Sequence, residues 1–107
     1  MESEFLTKMR ERLVTDFLDT LILLKMRNNP LTGNDIISYI HRSFDVLVCL
    51  GTVYSCLHHL EKEELIMGKS GLNERVYSLT EKGKETTESW LDMRNNILGI
   101  VVDLFTN

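Results

Sequence analysis

The side chains best placed to do chemistry fall between Leu50 and Lys62. Thr52, Tyr54, Ser55, His58, His59 and Lys62 lie there among the apolar residues Val53, Leu57 and Leu60. The apolar spacings of four and three predict a helix with one buried face. At about 100° per residue, Gly51, Ser55, His58 and Lys62 point the opposite way, with Thr52, Tyr54 and His59 on the flanks. Hydroxyl, imidazole and ammonium groups on such a face can donate to or accept from base edges in a DNA major groove. Thr52 and Tyr54 are in reach of the phosphates beside it. Catalysis finds no comparable support, because the chain has no Gly-rich phosphate loop, no Cys-x-x-Cys pair and no His-Glu-x-x-His run. His58 and His59, as helical neighbours, diverge by about 100° and do not chelate one ion. No metal, cofactor or enzyme activity is expected. Cys49 and Cys56 are two turns apart, too far for a bridge within one chain. They are read as reduced, half-buried thiols, with a redox-sensing thiol as the sharper alternative.

The elements that must position this helix follow from the flanking sequence. After it, Leu65-Ile66, a break at Gly68, the turn-rich Lys69–Glu74 and the alternating Arg75–Leu79 predict a hairpin with a polar tip. Lys69, Ser70, Asn73 and Arg75 of that wing are candidates for phosphate or minor-groove contact. Before it, a first helix is expected from about Leu6 through Met26, with the stripe Met9, Leu13, Phe17, Leu21, Leu24 broadened by Val14, Leu18 and Ile22. So wide a stripe implies that its first half meets another surface. Asn28-Asn29-Pro30 stops this helix. Thr32 then caps a second helix to about Arg42, with Asp35 completing a near capping box and Ile36, Ile37 and Ile40 inward. The N-terminus of this helix, at Thr32 and Asn34, could hold a phosphate, although capping alone accounts for both side chains. Phe44 and Leu47 of the apolar link Ser43–Leu50 are expected in the core.

The last helix is expected to run from Thr80, its cap, to Phe105. It carries a heptad-spaced seam of Trp90, Met93, Ile97, Ile100 and Leu104, widened by Val101. At 1.5 Å per residue it would be roughly 38 Å long, more than so small a domain covers. The expected cover is a second copy, with Met9, Leu13 and Phe17 of the first helix joining that seam in a dimer interface.

With 107 residues, 43% hydrophobic and 26% charged, the chain fits a single domain that builds its core without disulfides or metals. It divides into an N-terminal helix (1–28), a helix-turn-helix and wing (29–80) and a C-terminal dimerisation helix (81–107). No apolar run reaches the ~18 residues of a membrane span. The opening MESEFLTKMRER lacks the order of a secretory signal, so no membrane association and a cytoplasmic location are expected. The formal charge is −4. Between Leu50 and Thr80, Lys62, Lys69 and Arg75 stand against Glu61, Glu63, Glu64 and Glu74. That balance argues for weak non-specific DNA affinity with a shallow salt dependence.

The fold class expected is mainly α with a small β-hairpin wing, a winged helix-turn-helix with long terminal helices. PLTGNDI (30–36), GTVYSCLHHLEKEELI (51–66) and RVYSLTEKG (75–83) together resemble the PadR family of winged-helix repressors. The family pattern has an aromatic where Asn34 stands, often a proline at Ser55, and a glycine at Glu64. The resemblance implies a homodimeric, sequence-specific transcriptional regulator of prokaryotic type that binds double-stranded DNA and represses. It also implies a phosphate contact at the start of the second helix and a backbone contact by Tyr54, whose alternative is a ring packed under the wing. It further implies a small hydrophobic or aromatic effector near the dimer interface. Trp90, Met93 and Phe17 could line such a site, but the same residues suit ordinary interface core. The alternative from another class is a winged-helix protein–protein interaction or dimerisation module without specific DNA binding.

Overall fold

The apolar residues at three-and-four spacing converge on one core in the computed structural model, which describes residues 2–106. The chain order is α1 (Glu4–Asp16), α2 (Leu18–Met26), β1 (Leu31–Thr32), α3 (Gly33–Phe44), α4 (Leu50–Lys62), β2 (Ile66–Ser70), β3 (Arg75–Leu79), α5 (Glu81–Asp92) and α6 (Arg94–Thr106). Leu18, Ile22, Leu23 and Met26 of α2, Ile36 and Ile40 of α3, and Val53, Leu57 and Leu60 of α4 are all buried, with Ile66 and Tyr77 closing the sheet side. The three strands form an antiparallel sheet in the order β1-β3-β2. Leu31 pairs with Tyr77 and Ile66 with Leu79. No helix among the described residues is long and apolar enough to cross a membrane.

Several local expectations are corrected. The first helix is interrupted at Phe17 (φ −106°, ψ 23°). Phe17 N–H still donates to Leu13 O at 3.0 Å and Leu21 N–H to Phe17 O at 2.9 Å. The apolar stripe therefore runs on unbroken, and its period carries no trace of the bend. The C-terminal helix is likewise divided at Met93 (φ −94°, ψ 6°). Leu47 is 79% exposed, and Val46 is buried in its place. Asp45, in the left-handed region at φ 56°, ends α3 and turns the chain so that Val46 faces inward. Asp tolerates that conformation better than most residues. Gly68 does not break the hairpin. It pairs with Tyr77 inside β2, so Lys69 and Ser70 are strand residues. The two-residue β1 was not expected, since so short a strand has no period to read.

Two glycines mark close approaches. A Cβ on Gly33 would lie 2.9 Å from Tyr54 Cζ, so the Tyr54 ring rests on the first residue of α3. This is a packing different from a ring under the wing. A Cβ on Gly83 would be driven into the backbone carbonyl of Leu65, where α5 crosses the start of the wing. Between them, PLTG and LTEKG each meet the 51–66 segment, at Tyr54 and at Leu65.

Candidate nucleic-acid interface

The outward face of α4 is built by its inward one. Val53 and Leu57 are fully buried, and Leu60 nearly so. Helical geometry then leaves Thr52, Ser55, His58, His59 and Lys62 exposed, with Tyr54 half-buried over Gly33. The helix begins at Cys49, whose Sγ lies 3.0 Å from Thr52 Oγ1. Thr52 thus has an internal partner. This hydroxyl contact, with backbone N–H groups of the first turn, lowers the Cys49 thiol below its ordinary value. Cys56, two turns further along nearly the same side of the helix, is pushed up to about 11 by burial and then by the nearby Asp19 carboxylate.

Helix α4 ends in a Schellman arrangement. Leu65 N–H donates to Leu60 O (3.1 Å) and Glu64 N–H to Glu61 O (3.0 Å), with Glu64 left-handed at φ 61°. That turn aims the chain into β2 and fixes where the wing begins. Thr80 Oγ1 donates to Glu64 O (2.6 Å), tying the far end of the hairpin to the same turn.

The start of α3 closes a full capping box. Thr32 Oγ1 accepts from Asp35 N–H (3.1 Å) and Asp35 Oδ2 from Thr32 N–H (2.9 Å). The Thr32 side chain is therefore occupied in holding its own helix. Asn34 Nδ2 donates to Glu74 Oε2 at 3.1 Å, linking α3 to the base of the wing. Arg75 Nη2 is 3.1 Å from Glu61 Oε2, linking the wing to α4, and its guanidinium lies 5.8 Å from the Tyr77 ring centre. These two bonds and the Tyr54–Gly33 contact bring α3, α4 and the wing into one surface. Lys69, Ser70 and Asn73 are exposed along the wing and its loop. Among the described residues Lys62 and Lys69 form no ion pair, whereas Lys8, Arg10 and Arg12 of α1 pair with Glu4, Glu2 and Asp16.

Glu61, Glu74 and Gly33 were not among the residues singled out from the sequence. Their partners stand 14, 40 and 21 positions away, and no local pattern marks a contact over that distance.

The residues expected at a dimer interface divide into two groups. Trp90 is half-buried against the chain's own core. Helix α6 has no buried residue at all: its exposures include 41% at Val101 and 75% at Leu104. A groove of about 350 Å³ runs beside α1, lined by Leu6, Met9, Arg10, Leu13, Val14, Phe17, Leu21 and Phe44. Of Phe17, Trp90 and Met93, only Phe17 lines it.

Three comparisons bear on this surface. The sequence model of the transcriptional regulator PadR-like family matches residues 22–89. That span holds α3, α4, the wing and all three motifs, and the family is one of regulators rather than enzymes. Among curated proteins none matches. The chain is similar to the crystal structure of Bacillus subtilis PadR in complex with operator DNA, at 27% identity and a TM-score of 0.64 over 69% of this chain. It spans 46% of that protein's length. A PadR-like regulator from Bacillus cereus strain ATCC 14579 shares the fold at 22% identity and a TM-score of 0.73, over 90% of this chain and 98% of the other. A winged-helix DNA-binding protein from STIV does so at 21% identity and a TM-score of 0.63, over 78% and 91%. The fold is a winged helix, mainly helical with a three-stranded antiparallel sheet.

Proposed function

Because this chain belongs to the PadR-like family of transcriptional regulators, we propose that it acts as a homodimeric, sequence-specific DNA-binding repressor in the cytoplasm of a prokaryotic cell. The observation that carries the reading is the joined surface of α3, α4 and wing, with unpaired Lys62 and Lys69 and hydrogen-bonding Ser55, His58 and His59 exposed across it. Helix α4 enters the major groove, where Ser55, His58 and His59 meet base edges and Lys62 a phosphate. Lys69, Ser70 and Asn73 follow the backbone beside it. Tyr54 and the start of α3 at Thr32 and Asn34 flank the same groove. The crystal structure of B. subtilis PadR in complex with operator DNA supports the DNA-binding reading.

Dimerisation supplies the second half of the reading. An α6 with nothing buried exposes apolar surface that a monomer gains nothing from leaving in water. Met93, Ile97, Ile100, Val101 and Leu104 pair with a second copy. Met9, Leu13 and Phe17 of its α1 complete the contact. Two reading helices then address half-sites about one DNA turn apart. A small hydrophobic or aromatic effector fits the apolar groove beside Phe17, where it would bias the spacing of the two helices.

Fluorescence anisotropy against the DNA upstream of the chain's own gene, beside a scrambled duplex, tests the reading at two salt concentrations. The expected result is tighter binding to the native duplex, weakened by H58A and K62A. A protein-binding module is the second reading, favoured by the excess of Glu61, Glu63, Glu64 and Glu74 over Lys62, Lys69 and Arg75 between Leu50 and Thr80. Equal and salt-insensitive binding to both duplexes by a dimeric protein would favour it.

A further inference from the structure

Two of the polar contacts that join the wing to the helices have a property in common: each spends a DNA-directed donor on a carboxylate. Arg75 Nη2 is held by Glu61 Oε2 at 3.1 Å, and Asn34 Nδ2 by Glu74 Oε2 at 3.1 Å. We propose that Glu61 and Glu74 compete with DNA phosphate for Arg75 and Asn34, and thereby set the affinity of this protein for DNA. The proposal rests on the reading of α4 and the wing as the DNA-binding surface.

The chemistry is a direct substitution. A guanidinium presents its N–H groups in a planar fork that fits a carboxylate or a phosphate equally well. Arg75 already has a carboxylate in place, and its stacking beside Tyr77 keeps the head group near the wing. Asn34 stands in the first turn of α3, where backbone N–H groups favour an anion. The anion beside that turn, besides the capping Asp35, is Glu74. Both carboxylates lie beside donors that incoming phosphates would otherwise meet, and each adds a negative charge that repels the backbone. The pairs are easily exchanged. The Arg75 and Glu61 side chains are 46% and 28% exposed, and a pair so open to water is weakly held. The surface therefore binds DNA with two of its donors already occupied, which keeps non-specific affinity low and leaves more of the discrimination to α4.

The test is a set of anisotropy titrations of the full chain on the upstream duplex, with thermal melts to confirm folding. Removing a competing carboxylate as its amide should tighten binding about three- to fivefold for E61Q and for E74Q. Freeing Arg75 to take a phosphate should steepen the salt dependence of E61Q by about 0.9 in log K against log salt. E63Q removes the same charge from the same helix end without freeing an arginine, and should gain less. The gain from E61Q should vanish when R75A is already present, and that from E74Q when N34A is. If K62A weakens binding but E61Q and E74Q do not tighten it, the DNA-binding reading stands and the competition is refuted. It is equally refuted if E61Q weakens binding, which would make Glu61 a positioning residue for Arg75, or if its gain survives R75A. A wild-type protein with no salt-dependent DNA binding overturns both.

Discussion

Replacing Glu64 with glycine should stabilise the protein by about 1 kcal/mol, a value that follows from the turn at the end of α4. Glu64 stands at φ 61°, a conformation that costs a residue with a Cβ roughly 1–2 kcal/mol. Glycine escapes that cost but brings about 0.5–1 kcal/mol of extra unfolded-state freedom. It also removes a carboxylate from the negative end of a helix dipole, worth about 0.3–1 kcal/mol at low salt. The bonds that Glu64 makes in the turn, its N–H to Glu61 O and its O from Thr80 Oγ1, use only its backbone and survive the change. At about 4–8 °C per kcal/mol for a domain near this size, E64G should melt several degrees higher. The assay is a thermal melt followed by circular dichroism, at one fixed protein concentration because association would shift the midpoint. E64A is the control, since it deletes the carboxylate but keeps the left-handed cost. E64G must exceed E64A by about the backbone share, and the gap must persist in high salt. An E64G protein that melts at or below wild type, or one that only matches E64A, would refute the argument.

Other outcomes follow from the same geometry. G83A should cost about 1–3 kcal/mol or more, because a Cβ there meets the backbone carbonyl of Leu65 rather than a side chain that can swing away. G33A should displace the Tyr54 ring, visible in the near-ultraviolet dichroism of tyrosine, and weaken DNA binding with it. T32A should cost about 1 kcal/mol in a urea titration, since it leaves the Asp35 N–H without its cap. Cys49 should react with a disulfide reagent faster than Cys56 at neutral pH, because its thiol is exposed and lowered while that of Cys56 is half-buried and raised. The raised Cys56 thiol stays protonated in the folded chain when an unfolded thiol has ionised. Its contribution to stability is therefore intact below pH 9 and lost as pH rises towards about 11. C56A should flatten that part of the stability profile.

Amphipathic period and capping chemistry are local properties, and what they govern was legible in the chain itself. The inward faces of α3 and α4, the Thr32 and Thr80 caps and the exposure of Ser55, His58 and Lys62 all follow from residues within one or two turns of each other. The surplus of apolar surface on α6 was visible for the same reason. Tertiary structure decided what two distant segments do when they meet. The partners of Asn34 and Arg75, the Tyr54 ring laid on Gly33 and the pairing of β1 with β3 each join residues far apart in the chain. A periodic pattern records which way a side chain points and not what it finds there. The bends at Phe17 and Met93 were hidden for a related reason, since a bend that preserves the hydrogen-bond ladder leaves the apolar stripe intact. Glu64 shows both sides at once: the residue type disfavours a left-handed turn, and only the packing of α4 against the wing holds it there.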